Sequence, residues 1–140
     1  MKIFNLVFLV LFVVFAALQY NDPDPYLWIP IYLYGALICW MGYRGKMNFV
    51  ALFAGLAVFI IYALYLFVAE DGVLSWIIDH DAENIAGTMK ASNPWIEDSR
   101  EFFGLVILIT VFLINYFHFR KRSAIGNRSA IRKSTVSRIK

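Results

Sequence analysis

The chain has 140 residues, of which 61% are hydrophobic, 18% aromatic and only 16% charged, with a net charge of +3 at pH 7. These proportions lie far from the averages of soluble proteins. The charges also fall in blocks between long apolar runs, which a soluble surface would not allow. The single cysteine excludes an intramolecular disulfide, and neither histidine lies in a metal motif of defined spacing. The composition therefore indicates one integral membrane domain.

Four apolar segments are close to the length that a membrane helix requires, roughly 20 residues. The predicted spans cover about residues 3–20, 26–43, 47–68 and 102–119. We therefore predict an all-α integral membrane protein whose residues 1–119 form four transmembrane helices in an antiparallel bundle. A cleaved signal peptide is the alternative for the first segment. Phe15 fits a cleavage site after Ala17 poorly, so we expect the helix to be retained.

The connection from Gln19 to Pro25 combines two acids and two prolines and predicts a rigid polar cap on the first helix. Pro25 and Pro30 lie before and near the first turn of the second span, where proline is tolerated. At the other end of this span, Arg44-Gly45-Lys46 predicts a short turn into the third span.

The only long loop runs from Glu70 to Glu101. Its apolar residues from 73 to 78 predict a short helix lying in the membrane interface. Further on, Asn93 followed by Pro94 is typical of a helix start. Glu97 and Asp98 then place negative charge where the helix dipole favours it.

Basic and acidic residues segregate to opposite sides of the four spans. One side carries Lys2, Arg44, Lys46 and the basic residues from Arg120 onward, whereas all ten acids lie on the other side. The positive-inside rule therefore predicts a multi-pass protein with both termini in the cytoplasm and the acidic loops outside.

Residues 120–140 form a basic, serine-rich tail that we predict to be cytoplasmic and without regular structure. Basic runs bind nucleic acid without regard to sequence. Contact with anionic lipid headgroups explains a tail next to a membrane more simply. We therefore expect no nucleic-acid partner.

Helical periodicity predicts which faces of the first and last helices pack against each other. The predicted stripe on the first helix comprises Asn5, Leu9, Phe12, Ala16 and Gln19. The stripe on the last helix comprises Glu97, Arg100, Glu101, Gly104, Leu108, Val111 and Asn115, with His118 at its edge. The stripes predict antiparallel packing that puts Asn5 and Asn115 at the same depth. In the alternative, Asn5 and His118 simply reach the headgroups.

The polar residues at the outer ends of these two helices form a candidate functional cap. The cap comprises Gln19, Asn21, Asp22, Asp24, Trp28, Glu97, Asp98, Arg100, Glu101 and Gly104. Arg100 needs a partner near the hydrocarbon boundary, and Glu97, Glu101, Asp22 and Asp24 are the candidates. Oxygen-rich clusters can hold Ca²⁺ or Mg²⁺, and carboxylate pairs can act as acid and base. The spacing matches no defined site, so we predict no catalytic, metal or cofactor residue.

Two motifs within the cap resemble the transmembrane protein 220 family. They are Gln19 with Asn21-Asp22-Pro23-Asp24 and Trp28, and Glu97-Asp98-x-Arg100-Glu101-x-x-Gly104-Leu105. The resemblance implies four spans and a retained first helix, and it brings no known activity, ligand or cofactor. Asp98 and Phe103 differ from the family pattern, and the outer loop is longer than the family leads us to expect.

Three classes of function fit these observations. The leading hypothesis is a small membrane protein whose acidic outer cap is structural or binds another membrane protein or a second copy. An outward-facing metal-binding or hydrolytic enzyme is the second class. A small transporter or channel is the third and requires an oligomer, since four spans offer little room for an aqueous path. No acid or base lies in the middle of a span, as an ion or proton pathway would need.

Overall fold

The computed structural model describes residues 1–21, 24–85 and 93–138. For Asn21 and residues 123–138 it describes the backbone only. Five α-helices follow one another: α1 Lys2–Leu18, α2 Pro25–Tyr43, α3 Phe49–Val68, α4 Val73–Ile78 and α5 Pro94–Arg138. A single 3₁₀ turn, Gln19–Asn21, follows α1. No β-strand occurs in the described ranges, so the prediction of an all-α fold is confirmed there.

Three helices, α2, α3 and α5, are long and apolar enough to cross a membrane, judged by length and composition. The apolar helix α1 is shorter, with 17 residues. Uninterrupted apolar helices of this length satisfy every backbone polar group internally, which a bilayer requires. The prediction of an integral membrane protein is therefore confirmed. That α1 also crosses the membrane, which would make four spans, and that the spans form an antiparallel bundle stay predictions.

The turn after α2 is formed by Gly45, whose φ angle of +70° lies in the left-handed region that favours glycine. The amide of Gly45 donates to the carbonyl oxygen of Gly42 at 3.1 Å, and the amide of Lys46 donates to that of Met41 at 3.0 Å. These two bonds make a Schellman motif, which satisfies the last carbonyl groups of the helix. The predicted short turn at Arg44-Gly45-Lys46 therefore has a defined geometry.

The turn between α3 and α4 depends on Gly72. A Cβ atom added to Gly72 would lie 2.1 Å from the carbonyl oxygen of Leu66 and 3.1 Å from the backbone of Ala69. No other residue type fits this position without moving the backbone. The predicted short helix is present as α4, and its location in the membrane interface stays a prediction.

The last helix begins at Pro94, as the Asn93-Pro94 pair predicts, with Glu97 in its first turn. It does not end near Phe119, where the apolar sequence ends, but continues as helix to Arg138. This differs from our expectation of a tail without regular structure. Residues 120–138 contain no proline and have seven arginine or lysine residues, which are good helix formers, so the helix can continue after the apolar sequence has ended.

The chain divides into two compact units. The first unit contains Met1–Phe49 and Phe112–Lys140, and the second contains Val50–Val111. In the first unit, the rings of Phe12 and Phe15 lie 6.4 and 5.6 Å from the ring of Tyr32. The core of the second unit is mainly aliphatic and aromatic, and its most buried side chains include Leu52, Phe59, Leu66, Leu105 and Leu108.

Candidate functional site

The loop between α4 and α5 and the first turns of α5 form what we call the loop–helix cluster: His80, Glu83, Ile85, Trp95 and Arg100. All five residues belong to the second unit. The connection from α3 to α5 runs from residue 69 to residue 93. Antiparallel helices need only about two to eight residues, so a connection this long requires its own explanation.

Glu83 is the centre of the loop–helix cluster. The indole Nε1 of Trp95 donates to its carboxylate Oε1 at 2.5 Å, and the indole of Trp76 donates to its backbone oxygen at 2.9 Å. The imidazole of His80 stacks on the ring of Trp95, with centroids 3.6 Å apart and the planes inclined by 3°. The two contacts of Trp95 attach the loop after α4 to the start of α5, and the Trp76 bond attaches the same loop to α4.

Arg100 makes a second attachment between the same elements. Its Nε donates to the backbone oxygen of Ile85 at 2.5 Å, and its side chain is half-buried. The sequence suggested carboxylates as partners for Arg100, and a backbone carbonyl was not among them. An ionised donor strengthens such a bond, because the charge polarises the carbonyl group.

The next residue, Glu101, contacts α3. The Tyr62 hydroxyl donates to its Oε2 at 3.3 Å, and the neighbouring rings of Phe67 and Phe102 lie 5.8 Å apart. Glu101 is half-buried, as are Glu97 and Gly104. The second motif therefore lies where α5 packs against α3, with its carboxylate oriented by a neutral donor.

Asp98 lies before the predicted span 102–119. Burial raises the pKa of its carboxyl group above the ordinary value, and the nearby charge of Asp71 raises it further. Both causes disfavour the ionised form, since burial removes hydration and a second carboxylate repels the charge. The adjacent Ser99 is fully buried, and its hydroxyl has no hydrogen-bond partner among the described residues.

The first motif lies in the first unit. Gln19 is half-buried in the 3₁₀ turn, and its buried Oε1 has no hydrogen-bond partner in the described part of the chain. Asp24 immediately precedes α2, where its backbone oxygen accepts from the amides of Leu27 and Trp28. Its Oδ1 also accepts from the Tyr26 hydroxyl at 2.7 Å.

Trp28 is almost completely buried, and its ring lies 5.8 Å from that of Tyr32. Asn21 ends the 3₁₀ turn, but its side chain lies outside the description, and Asp22 lies outside the described residues altogether. The predicted meeting of the two motifs therefore stays a prediction. Within the described ranges, no three His, Cys, Asp or Glu side chains form a group that could hold a metal ion.

A second polar cluster lies inside the first unit, and we call it the asparagine cluster: Asn5, Gly42 and Asn115. Both asparagines are 0% exposed. A Cβ atom added to Gly42 would lie 2.6 Å from Nδ2 of Asn5 and 2.8 Å from Oδ1 of Asn115. Both side chains therefore touch the same glycine, at the depth that the helical stripes predict.

The stripes agree with other buried positions of the two helices. Phe12 and Ala16 of α1, and Leu108 and Val111 of α5, are buried as predicted. The alternative, in which Asn5 merely reaches the headgroups, does not fit its complete burial. His118 is exposed and takes no part in the asparagine cluster.

Sequence reasoning missed several residues of these clusters. Gly42 is one of four small buried residues on α2, and their spacing is a signal for close helix approach. These residues are Gly35, Ala36, Cys39 and Gly42. No sequence signal identifies Trp76, Glu83 and Trp95 as partners, because a hydrogen bond between a helix residue and a loop residue follows no period.

The fold and these clusters define an all-α integral membrane protein with a structured polar region beside its apolar helices. The chain belongs to the family described as "Transmembrane family 220, helix", whose model matches residues 11–117. This match covers more than half of the chain and confirms the family that the two motifs indicate. Comparison with curated proteins and with solved structures gave no match.

Proposed function

We propose that the chain is a four-span membrane protein with both termini in the cytoplasm, and that its outer loop–helix cluster binds another membrane protein. In this proposal α1 also crosses the membrane, in addition to α2, α3 and α5. Its 17 residues lie at the lower end of the length range for a membrane helix. The family to which the chain belongs is a family of transmembrane proteins.

The observation that carries the proposed binding role is the construction of the long loop. A simple connection would need no internal hydrogen bonds, yet here the Trp76 indole bonds the loop to α4, and the Trp95 indole and the Arg100 guanidinium bond it to α5. Loops of this length with fixed internal contacts are disproportionately sites of recognition. The loop that carries this cluster also keeps charged side chains exposed, among them Asp79, Asp81 and Glu83.

The proposed orientation is supported by the segregation of charge. Every acid lies in the connections at one end of the predicted spans, and nearly every base lies at the other end or in the last segment. The short helix α4 fits an interfacial location on the outer side, because Leu74, Ile77 and Ile78 are exposed apolar side chains.

Impermeant thiol labelling in intact cells tests the orientation. In a Cys39→Ser background, the reagent should modify Ser92→Cys and spare Ser123→Cys. Lysed cells provide the control, since both positions should then react. Labelling of Ser123→Cys alone in intact cells would reverse the topology.

Cross-linking from the outer face tests the binding role. A photoreactive group on Asp81→Cys should form a defined adduct in intact membranes. Trp95→Phe should reduce the yield several-fold, because it keeps the aromatic ring but removes the N–H group that donates to Glu83. Trp40→Phe is the matched control, since Trp40 belongs to the first unit and its change should leave the adduct intact. An adduct unaffected by Trp95→Phe would contradict the proposal.

A further inference from the structure

A group of exposed cations surrounds the turn between α2 and α3. Arg44 and Lys46 flank Gly45 in the sequence, and all three are exposed. Arg122 of α5 reaches the same turn: its Nη1 lies 3.8 Å from the position of a Cβ atom added to Gly45. This separation is an ordinary van der Waals distance, so the guanidinium group rests against the turn.

These three cations have no acidic residue near them along the chain. The nearest acids in sequence are Asp24 and Glu101, each about 20 residues away. In a continuous helix that number of residues extends about 30 Å, which is several times the screening length at physiological salt. Like charges gathered at one turn repel each other, and a bound anion would relieve that repulsion.

Aromatic side chains contact the arginines around this turn. The guanidinium carbon of Arg44 lies 5.5 Å from the ring of Trp40, which itself stacks on Tyr43 at 5.9 Å. On α5, the guanidinium carbon of Arg120 lies 5.8 Å from the ring of Tyr116. Tryptophan and tyrosine concentrate at membrane interfaces, and cation–π contacts restrict the arginines to that depth.

We propose that Arg44, Lys46 and Arg122 bind the phosphate group of an anionic phospholipid headgroup. The planar guanidinium groups suit bidentate contact with phosphate oxygens, and the lysine adds a point charge. The site joins two segments of the first unit that are far apart in sequence, and so differs from diffuse attraction by the basic tail. It rests on the proposed insertion in a membrane, but it does not depend on the outer loop.

Native mass spectrometry of the full chain in detergent tests the site with two probes. Phosphatidic acid presents a phosphate monoester, and phosphatidylcholine presents a phosphate balanced by a cation. We expect selective retention of phosphatidic acid, lowered about fivefold by Arg122→Gln and about 25-fold by the pair Arg44→Gln with Arg122→Gln, since each basic residue contributes about 1 kcal/mol. Arg122→Lys should lie between the wild type and Arg122→Gln.

Arg138→Gln is the matched control, because it removes the same charge near the end of α5. An equal loss in Arg138→Gln would overturn the site and assign lipid binding to the total charge. If millimolar inorganic phosphate displaces the lipid and raises the melting temperature equally well, the ligand is free phosphate and the lipid assignment is wrong. Melting curves of each variant confirm folding. Failure of the thiol-labelling result would overturn the orientation and leave this site standing.

Discussion

The asparagine cluster contains no charge and is wholly buried, whereas the loop–helix cluster is built mainly from charged and aromatic side chains that stay partly exposed. In the asparagine cluster, Gly42 positions the polar groups by allowing close approach. In the loop–helix cluster, hydrogen bonds to Glu83 and Ile85 position them. Close packing tolerates no added atom, while an exposed hydrogen bond can be exchanged for water. Replacing a glycine that is closely packed against other atoms should therefore be the most damaging substitution.

The largest effect is expected at Gly72, which places α4 and hence the loop–helix cluster. Gly72→Ala would put a Cβ atom 2.1 Å from the backbone oxygen of Leu66. Since a backbone carbonyl cannot move aside as a flexible side chain can, we expect a loss of about 3 kcal/mol in the free energy of unfolding. Thermal melting in detergent measures the loss. Ser75→Ala, a change within α4, should shift the melting temperature little, and equal shifts would mean that this turn is not tightly constrained.

A smaller effect is expected at Gly42, because there the added atom meets side chains. Gly42→Ala should cost about 2 kcal/mol in the wild-type background. In an Asn5→Ala background the Nδ2 and Cγ atoms that approach within 2.9 Å are gone, whereas Oδ1 of Asn115 at 2.8 Å remains, so the cost should fall to about 1 kcal/mol and not vanish. A double-mutant cycle followed by melting measures this coupling. The same cost in both backgrounds would show that Asn5 does not contact Gly42.

Arg100 tests the loop–helix cluster directly. Arg100→Gln removes an ionised donor from the backbone oxygen of Ile85, and we expect a loss of about 1.5 kcal/mol. Lys90→Gln removes the same charge from the connection before α5 and should cost less than about 0.5 kcal/mol. Melting temperatures of the two variants decide between the alternatives. If both losses are small and equal, Arg100 is an ordinary solvated charge.

The smallest effect, and the only gain, is expected at Asp98. Its carboxyl pKa is raised in the folded state by burial and by Asp71, so the folded protein binds the proton more tightly than the unfolded chain does. This contribution to stability is present below the unfolded pKa and is lost as pH rises through the folded value. Asp98→Asn should therefore raise the melting temperature at neutral pH.

Melting at acid pH sharpens the Asp98 prediction. Near pH 3, below the ordinary aspartate pKa of about 3.9, the carboxyl group is protonated in both states and the advantage of asparagine should disappear. A gain of the same size at both pH values would assign the effect to packing. A loss at neutral pH would show that the ionised carboxylate makes a favourable contact.

Local patterns in the sequence predicted the helix starts well. Pro25 begins α2, Pro94 begins α5, and the apolar residues after Gly72 form α4. Each of these features depends on a few neighbouring residues, since proline at a first turn and an apolar run act locally. The end of α5 was harder to predict, because the apolar run ends near Phe119 while the backbone hydrogen bonds continue to Arg138.

The sequence by itself determined that the protein is all-helical and belongs in a membrane, because long apolar runs can satisfy their backbone only as helices. Its periodicity also predicted the common depth of Asn5 and Asn115. Only the tertiary structure decided that Gly42 lies between them, and that Arg100 binds the backbone oxygen of Ile85. Glycine and backbone oxygen carry no distinctive side-chain signal, so contacts with them between distant segments become evident only when the helices have packed.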